Sequence, residues 1–218
     1  MDICEIAAAV SGGKVKAVKN LTSAALEEGL SASEILEKGL LAGMDEVGRK
    51  FRDNEIFIPE VMIAAKAMTA GVELLKPFLA GDGAEAAGRV CIGTVRGDQH
   101  DIGKNLVKLM MEGKGLEVID LGIDVSPETF VRTAVEKDCP VICCSALLTT
   151  TMGVMADVVA EAEKAGVRDR VKIMIGGAPV TGEFCRQIGA DAYTPDAASA
   201  AERALEFCAA ARTKKTEN

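Results

Sequence analysis

The chain has 218 residues, a length that fits one large domain or two small ones, and 49% of its residues are hydrophobic, as in folded globular proteins. Its formal net charge of -8 and its aromatic content of only 3% argue against a nucleic-acid partner, which calls for positive charge and stacking rings. The lack of a long apolar run and of a signal peptide predicts a cytoplasmic protein with no membrane partner.

The first 80 or so residues have the hydrophobic spacing of helices. Ser31 followed by Glu34 predicts a helix start of the capping-box type, and Pro59 stands where another helix could begin. The pattern predicts an N-terminal four-helix bundle. The glycine-rich segment 81–88 is then a linker, so we expect one domain over residues 1–88 and a second over 89–218.

After the linker, short apolar runs alternate with helical patterns. Strands are expected at 89–94, 117–120, 141–146, 171–175 and 191–193, with helices near 103–114, 127–137, 151–165, 180–188 and 197–211. Short, continuously apolar runs are typical of parallel strands that are covered on both faces. This half is therefore predicted to be α/β, a Rossmann-like (flavodoxin-like) doubly wound domain with five parallel strands. Its ligand site is expected at the carboxyl ends of the strands.

The only histidine of the chain, His100, lies in the loop after the first predicted strand. In the motif Asp98-x-His100-x-x-Gly103, the acid can accept a hydrogen bond from one imidazole nitrogen, which leaves the other nitrogen for a metal. Gly103 lets a bulky ligand approach the backbone. On its own, so short a motif fits an ordinary surface-loop histidine as well as it fits a metal ligand.

Two further loops are expected at the same edge of the sheet. Ser145 and Leu147 lie at the end of the third predicted strand, and Gly176-Gly177 follows the fourth. Taken singly, such hydroxyls are more often helix caps and such glycines are more often plain turns. Together the three loops resemble the cobalamin-binding domain of methyltransferases and mutases, with D-x-H-x-x-G, then S-x-L, then G-G.

The resemblance extends over the whole chain, to corrinoid proteins of the methanol-, methylamine- and quaternary-amine-type methyltransferase systems, which are related to the cobalamin module of methionine synthase. In the helical half it is carried by Met44-Asp45-Glu46-Val47-Gly48-x-x-Phe51 and Phe57-Ile58-Pro59-Glu60-Val61. It implies that the cofactor is cobalamin or a related corrinoid (methylcobalamin or cob(I)alamin) and that His100 binds the cobalt from below. Asp98 would be its hydrogen-bonded partner, and both would serve catalysis.

The same resemblance implies two groups of cofactor contacts. An apolar cap over the corrin would consist of Phe51, Ile58 and Val61. The contacts in the second half would be Gln99, Asp101, Ile102, Gly103, Ser145, Leu147, Thr149, Thr151, Gly176, Gly177, Ala178, Tyr193 and Asp196. Gln99 departs from the family pattern, in which an apolar residue often stands at this position.

The implied function is that of a methyl carrier. Cobalt(I) would accept a methyl group from a substrate-specific methyltransferase, and methyl-cobalt(III) would deliver it to a second methyltransferase with coenzyme M or tetrahydrofolate as acceptor. A reductive activator would be a further partner. Proton uptake through Asp98 would couple binding and release of the histidine, and the linker at 81–88 would act as a hinge.

Three alternatives stay open at this point. The chain could be the cobalamin subunit of an adenosylcobalamin mutase, although the helical bundle argues against it. It could be a corrinoid-sensing regulator, although it lacks a basic DNA-binding module. It could also be a flavodoxin-like domain that binds no cobalt.

Overall fold

The structure is a computed structural model that describes residues 2–82 and 86–216. The chain divides into two compact units, Met1–Glu85 with Gly113–Gly115, and Ala86–Glu112 with Leu116–Asn218. Residues 83–85 of the predicted linker lie outside the described residues. No helix within the described ranges has the length and apolarity needed to cross a bilayer.

The N-terminal unit is helical, as the sequence predicts. Its elements are α1 (Cys4–Ser11), α2 (Val15–Glu27), α3 (Ala32–Glu34), a π-helix (Ile35–Leu41), α4 (Ala42–Arg52) and α5 (Ile58–Asp82). The hydroxyl of Ser31 accepts a hydrogen bond from the Glu34 N–H at 3.2 Å, which confirms the predicted helix start. Because α3, the π-helix and α4 follow one another without interruption, the unit has four helical segments. Their core is aliphatic, with Ile6, Leu40 and Leu75 fully buried.

The C-terminal unit is an α/β domain with a five-stranded parallel sheet, which confirms the predicted fold class. Its strands are β1 (Gly88–Thr94), β2 (Leu116–Asp120), β3 (Val141–Ser145), β4 (Lys172–Gly176) and β5 (Ala192–Tyr193). Its helices are α6 (Ile102–Gly113), α7 (Pro127–Glu136), α8 (Val154–Lys164), α9 (Gly182–Gln187) and α10 (Ala197–Thr216). The core of this unit includes four fully buried apolar side chains from strands and helices, namely Phe130, Ile142, Met155 and Ile173.

The sheet order decides where the loops meet. The strands lie in the order β2-β1-β3-β4-β5, so the winding direction reverses between β1 and β3. Ligands of doubly wound sheets bind outside the carboxyl ends of the strands at this switch point. The register aligns Thr94 of β1 with Ser145 of β3, and Ser145 with Gly176 of β4. The loops after β1, β3 and β4 therefore begin side by side.

Candidate functional site

The loop after β1 carries His100 and is attached to the strands by backbone hydrogen bonds. The Val95 N–H donates to the Ser145 carbonyl at 3.0 Å, and Gly97 turns the chain with a φ of +83°. The Gly97 N–H donates to the Asp124 carboxylate at 2.7 Å. The Thr94 hydroxyl donates to the His100 carbonyl at 3.0 Å. These contacts hold the loop close to the ends of β1 and β3.

Asp98 is the centre of the hydrogen-bond network, and its side chain is fully buried. Its Oδ1 accepts hydrogen bonds from the backbone N–H of His100 at 3.0 Å and from the His100 Nδ1 at 2.7 Å. Its Oδ2 accepts from Thr151 Oγ1 at 2.7 Å, the Leu147 N–H at 2.8 Å and the Leu148 N–H at 3.2 Å. One oxygen thus accepts hydrogen bonds from His100, and the other accepts them from the loop after β3.

These five donors determine the charge of Asp98. Burial by itself raises the pKa of this carboxyl, but the hydrogen bonds from Thr151, His100 and Leu147 outweigh burial and hold the pKa well below its usual range. The carboxylate therefore stays ionised at neutral pH. This differs from the sequence-based expectation that Asp98 takes up a proton, because every group that contacts it donates a hydrogen bond and favours the charged form.

The imidazole of His100 is arranged as a metal ligand would be. Its side chain is 50% exposed, and Asp98 occupies Nδ1, which leaves Nε2 for ligation. A carboxylate on Nδ1 fixes the tautomer and makes Nε2 a better donor to a metal. Over residues 2–82 and 86–216, no three His, Cys, Asp or Glu side chains cluster into a metal site. A single protein ligand suits a metal that is already held by a macrocycle.

The surroundings of the histidine leave room for a large apolar group. A Cβ added at Gly103 or Gly176 would meet nothing within 4 Å, so both backbones are open to a ligand. Gly177 has a different role, because its φ is +128° and an added Cβ would lie 1.8 Å from the Ala146 carbonyl oxygen. Four apolar side chains are exposed at the loops and helix start of this edge, namely Ile102, Ile123, Leu147 and Leu148. The site therefore fits a corrinoid.

The first turn of α6 is anchored by an ion pair that the sequence analysis missed. Lys104 is only 2% exposed, and its Nζ donates to Asp120 and to Asn105, both at 2.7 Å. Burial alone raises the pKa of Asp120, but the hydrogen bonds from Lys104, the Gly122 N–H and Lys108 together outweigh burial and lower it. Because Asp120 ends β2, the pair attaches the start of α6 to the strand beside β1. In the sequence, this ion pair was indicated only by the position of Lys104, directly after the last residue of the histidine motif.

The structure brings some of the other predicted residues to the histidine network and leaves others outside it. Thr151 is buried and bonded to Asp98, whereas Thr149 is exposed and has no hydrogen bond to Asp98. Tyr193 lies on β5 opposite Ile175, and Asp196 accepts from Ser199 at the start of α10. Gln99, Asp101 and Ala178 are exposed. Their roles as cofactor contacts stay predictions.

The three predicted cap residues differ within the helical unit. Ile58 is 39% exposed and Phe51 is partly buried, whereas Val61 is fully buried among the helices. Val61 thus has little surface left for a ligand in this conformation, and Ile58 has the most. A contact of these residues with a corrin stays a prediction.

Comparison with known proteins links the chain to cobalamin. Family models described as "B12 binding domain" match residues 3–76 and 88–205. The chain is 44% identical over 209 residues to dimethylamine corrinoid protein 1 of Methanosarcina acetivorans, which covers 94% of this chain and 98% of that protein.

Two solved structures of cobalamin proteins are similar to this chain over 95% of its length. A chain in the methanol:cobalamin methyltransferase complex from Methanosarcina barkeri superposes with a TM-score of 0.85 at 31% identity, covering 95% of this chain and 79% of that one. A cobalamin-binding protein from Desulfitobacterium hafniense DCB-2 superposes with a TM-score of 0.81 at 30% identity, covering 95% and 98%.

Proposed function

Because the chain belongs to the family of B12-binding corrinoid proteins, we propose that it carries methyl groups between two methyltransferases. It would receive the group from a substrate-specific methyltransferase and deliver it to a second one, whose acceptor is the thiol coenzyme M or the pterin tetrahydrofolate. The support from relatives is a dimethylamine corrinoid protein and a methanol:cobalamin methyltransferase complex. The cofactor is a corrinoid, and when bound it supplies a cobalt centre that takes up and releases methyl groups.

The observation that carries the proposal is the Asp98–His100 pair. The distance of 2.7 Å between Nδ1 and Oδ1 assigns the proton to Nδ1, since Asp98 is ionised and can only accept. His100 then presents the lone pair of Nε2 to the metal. The carboxylate fixes the orientation of the ring and increases the basicity of that nitrogen.

The same pair would also matter if the histidine left the metal. With the ring turned away, Asp98 would lose only the hydrogen bond to Nδ1. Asp98 keeps its charge in both states because Thr151 and two backbone N–H groups hold its other oxygen.

The exposed apolar side chains near the Asp98–His100 pair have a second role in the proposed function. Ile102, Leu147 and Leu148 are exposed next to the polar pair and would exclude water from the lower face of the corrin. Exclusion of water protects a reduced, strongly nucleophilic metal. A reductive activator is part of the proposal, because a carrier whose cobalt becomes oxidised needs an electron donor to return to the cycle.

The test is His100→Ala, loaded with cobalamin beside the wild-type protein. We expect the wild-type Co(II) form to show the hyperfine pattern of a protein nitrogen in electron paramagnetic resonance, and the variant to lack it. Added imidazole should restore a nitrogen ligand in the variant, which serves as a chemical control for folding. If the two proteins have the same spectrum, or if the cofactor's own benzimidazole stays bound to cobalt in the wild type, the proposal is refuted.

Methyl transfer is tested with the same two proteins. Each is loaded with methylcobalamin and mixed with coenzyme M or tetrahydrofolate and the corresponding methyltransferase. We expect the wild type to lose its methyl group to one acceptor and the variant to do so at least tenfold more slowly, in keeping with the loss of a metal-binding side chain and its hydrogen-bonded partner. Equal rates would refute a role of His100 in transfer.

A further inference from the structure

Thr94 is a buried polar residue to which the proposed function assigns no role. Its side chain is fully buried at the end of β1, and its hydroxyl donates to the His100 carbonyl at 3.0 Å. The backbone of Thr94 is fixed on both sides, because its N–H donates to the Gly122 carbonyl and its own carbonyl accepts from the Val125 N–H, both at 2.9 Å. The hydroxyl is therefore held on a rigid support.

The hydrogen bond from Thr94 completes a clamp on the backbone of His100. The His100 N–H donates to Asp98 at 3.0 Å, and its carbonyl accepts from Thr94. The peptide groups on both sides of the Cα are thereby fixed. Only the side-chain torsions are left to move the imidazole, and a single hydrogen bond, from Nδ1 to Asp98, restrains them.

The segment that follows His100 is anchored as well. The Asn105 N–H donates to the Asp101 carbonyl at 2.8 Å as α6 begins, and Lys104 holds the same turn to Asp120. A movement of the loop as a whole would have to break these bonds and the clamp together. Rotation of the imidazole breaks one.

We propose that Thr94 is a positioning residue for the cobalt ligand, and that its hydroxyl fixes the His100 backbone so that the histidine binds and leaves the metal by side-chain rotation and not by loop movement. This inference rests on the proposed function, since it takes His100 as the ligand. Its physical content is preorganisation: a fixed backbone loses less entropy when the imidazole binds the metal.

The test compares Thr94→Val, which has nearly the same shape and no hydroxyl, with Thr94→Ser, which keeps the hydroxyl. Thr22→Val is the matched control, because Thr22 is also fully buried, lies in α2, and has a hydroxyl without a hydrogen-bond partner among the described residues. Each protein is loaded with Co(II) cobalamin and titrated with 15N-labelled imidazole, whose hyperfine pattern differs from that of the 14N of His100. The concentration that displaces half of the histidine measures how firmly His100 holds the metal.

Loss of one hydrogen bond should lower that concentration about fivefold in Thr94→Val, with Thr94→Ser and Thr22→Val close to wild type. A second readout needs no cofactor: hydrogen exchange of the His100 amide should become faster in Thr94→Val only. If Thr94→Val matches wild type in both measurements, or if Thr94→Ser loses as much as fivefold, the inference is refuted. If Thr94→Val does not fold, Thr94→Ala, which also lacks the hydroxyl, replaces it in both measurements with the same expected and refuting results. A wild-type protein without a histidine hyperfine pattern would refute the proposed function instead, and the exchange measurement would still test the clamp.

Discussion

Replacement of Asp98 by Asn tests the network most directly, because it changes one atom in a residue that only accepts hydrogen bonds. The amide keeps one oxygen, and three donors on the Oδ2 side favour placing it there. The new NH₂ group then faces the N–H and Nδ1 of His100. The ring can adapt only by moving its proton from Nδ1 to Nε2, so that Nδ1 accepts. The nitrogen needed for the metal would then be blocked.

The magnitude follows from the contacts that change. The His100 N–H loses its acceptor, which costs about 1 kcal/mol for a partly buried group. The three bonds to the remaining oxygen become neutral instead of charge-assisted, a loss of roughly 0.5–1 kcal/mol each. Because part of this loss is offset by the new bond to Nδ1, we expect the free energy of unfolding at pH 7 to fall by roughly 2–4 kcal/mol.

The assay is urea unfolding followed by the fluorescence of Tyr193, the only tyrosine in a chain without tryptophan, which lies on β5 and so reports on the sheet unit alone. The control is Asp124→Asn in the same region, where an exposed carboxylate accepts from the Gly97 N–H and the Asn oxygen can still do so. That change should cost less than about 0.5 kcal/mol. A loss for Asp98→Asn no larger than for the control would refute the reasoning, as would an unchanged nitrogen hyperfine pattern in the loaded variant.

Two further predictions concern the same unit. Gly177→Ala should lower the free energy of unfolding by roughly 3 kcal/mol or more, because the added Cβ would lie 1.8 Å from a backbone oxygen at a φ of +128°. Gly176→Ala in the cofactor-free protein should lower it far less, because a Cβ there would meet nothing within 4 Å. Equal losses for the two variants in urea unfolding would contradict this. The pKa of Asp98 is lowered on folding from an ordinary value of 3.8, so its stabilising effect is complete above about pH 5 and is lost as the pH falls through and below 3.8. The stability difference between wild type and Asp98→Asn should therefore shrink in acid between about pH 4 and pH 2, and a difference that grows in acid would contradict the sign.

Most of the fold could be predicted from the sequence because its signals are local. The apolar runs of the second half predict all five strands to within one residue at each end, since buried parallel strands carry no polar alternation to confuse their limits. The order of the strands in the sheet was not predicted, because register and crossover depend on contacts between residues that are far apart in the sequence. That order is what brings the loops after β1 and β3 together.

The site was predictable in its residue types but not in its hydrogen bonds. The pairing of Asp98 with His100 follows from a separation of two residues, and the structure has it. Which hydroxyl bonds to Asp98 depends on how the chain turns after β3, where the Thr151 hydroxyl contacts both the Leu148 carbonyl and Asp98. Backbone donors, such as the Leu147 N–H, cannot be recognised from the sequence, because every residue except proline has an N–H group. Together with the Thr151 hydroxyl and the His100 ring, these donors lower the pKa of Asp98 and keep it ionised.

The two oxygens of Asp98 have different partners, and under the proposed function this difference would let His100 move while Asp98 keeps its position. Oδ2 is bound by three donors from the loop after β3, so the carboxylate is fixed whether or not the imidazole is present. Oδ1 is bound only by His100, through its backbone and its ring. Because rotation of the ring would break only one of these five bonds, the proposed release of His100 from cobalt would leave the carboxylate in place to accept the ring again.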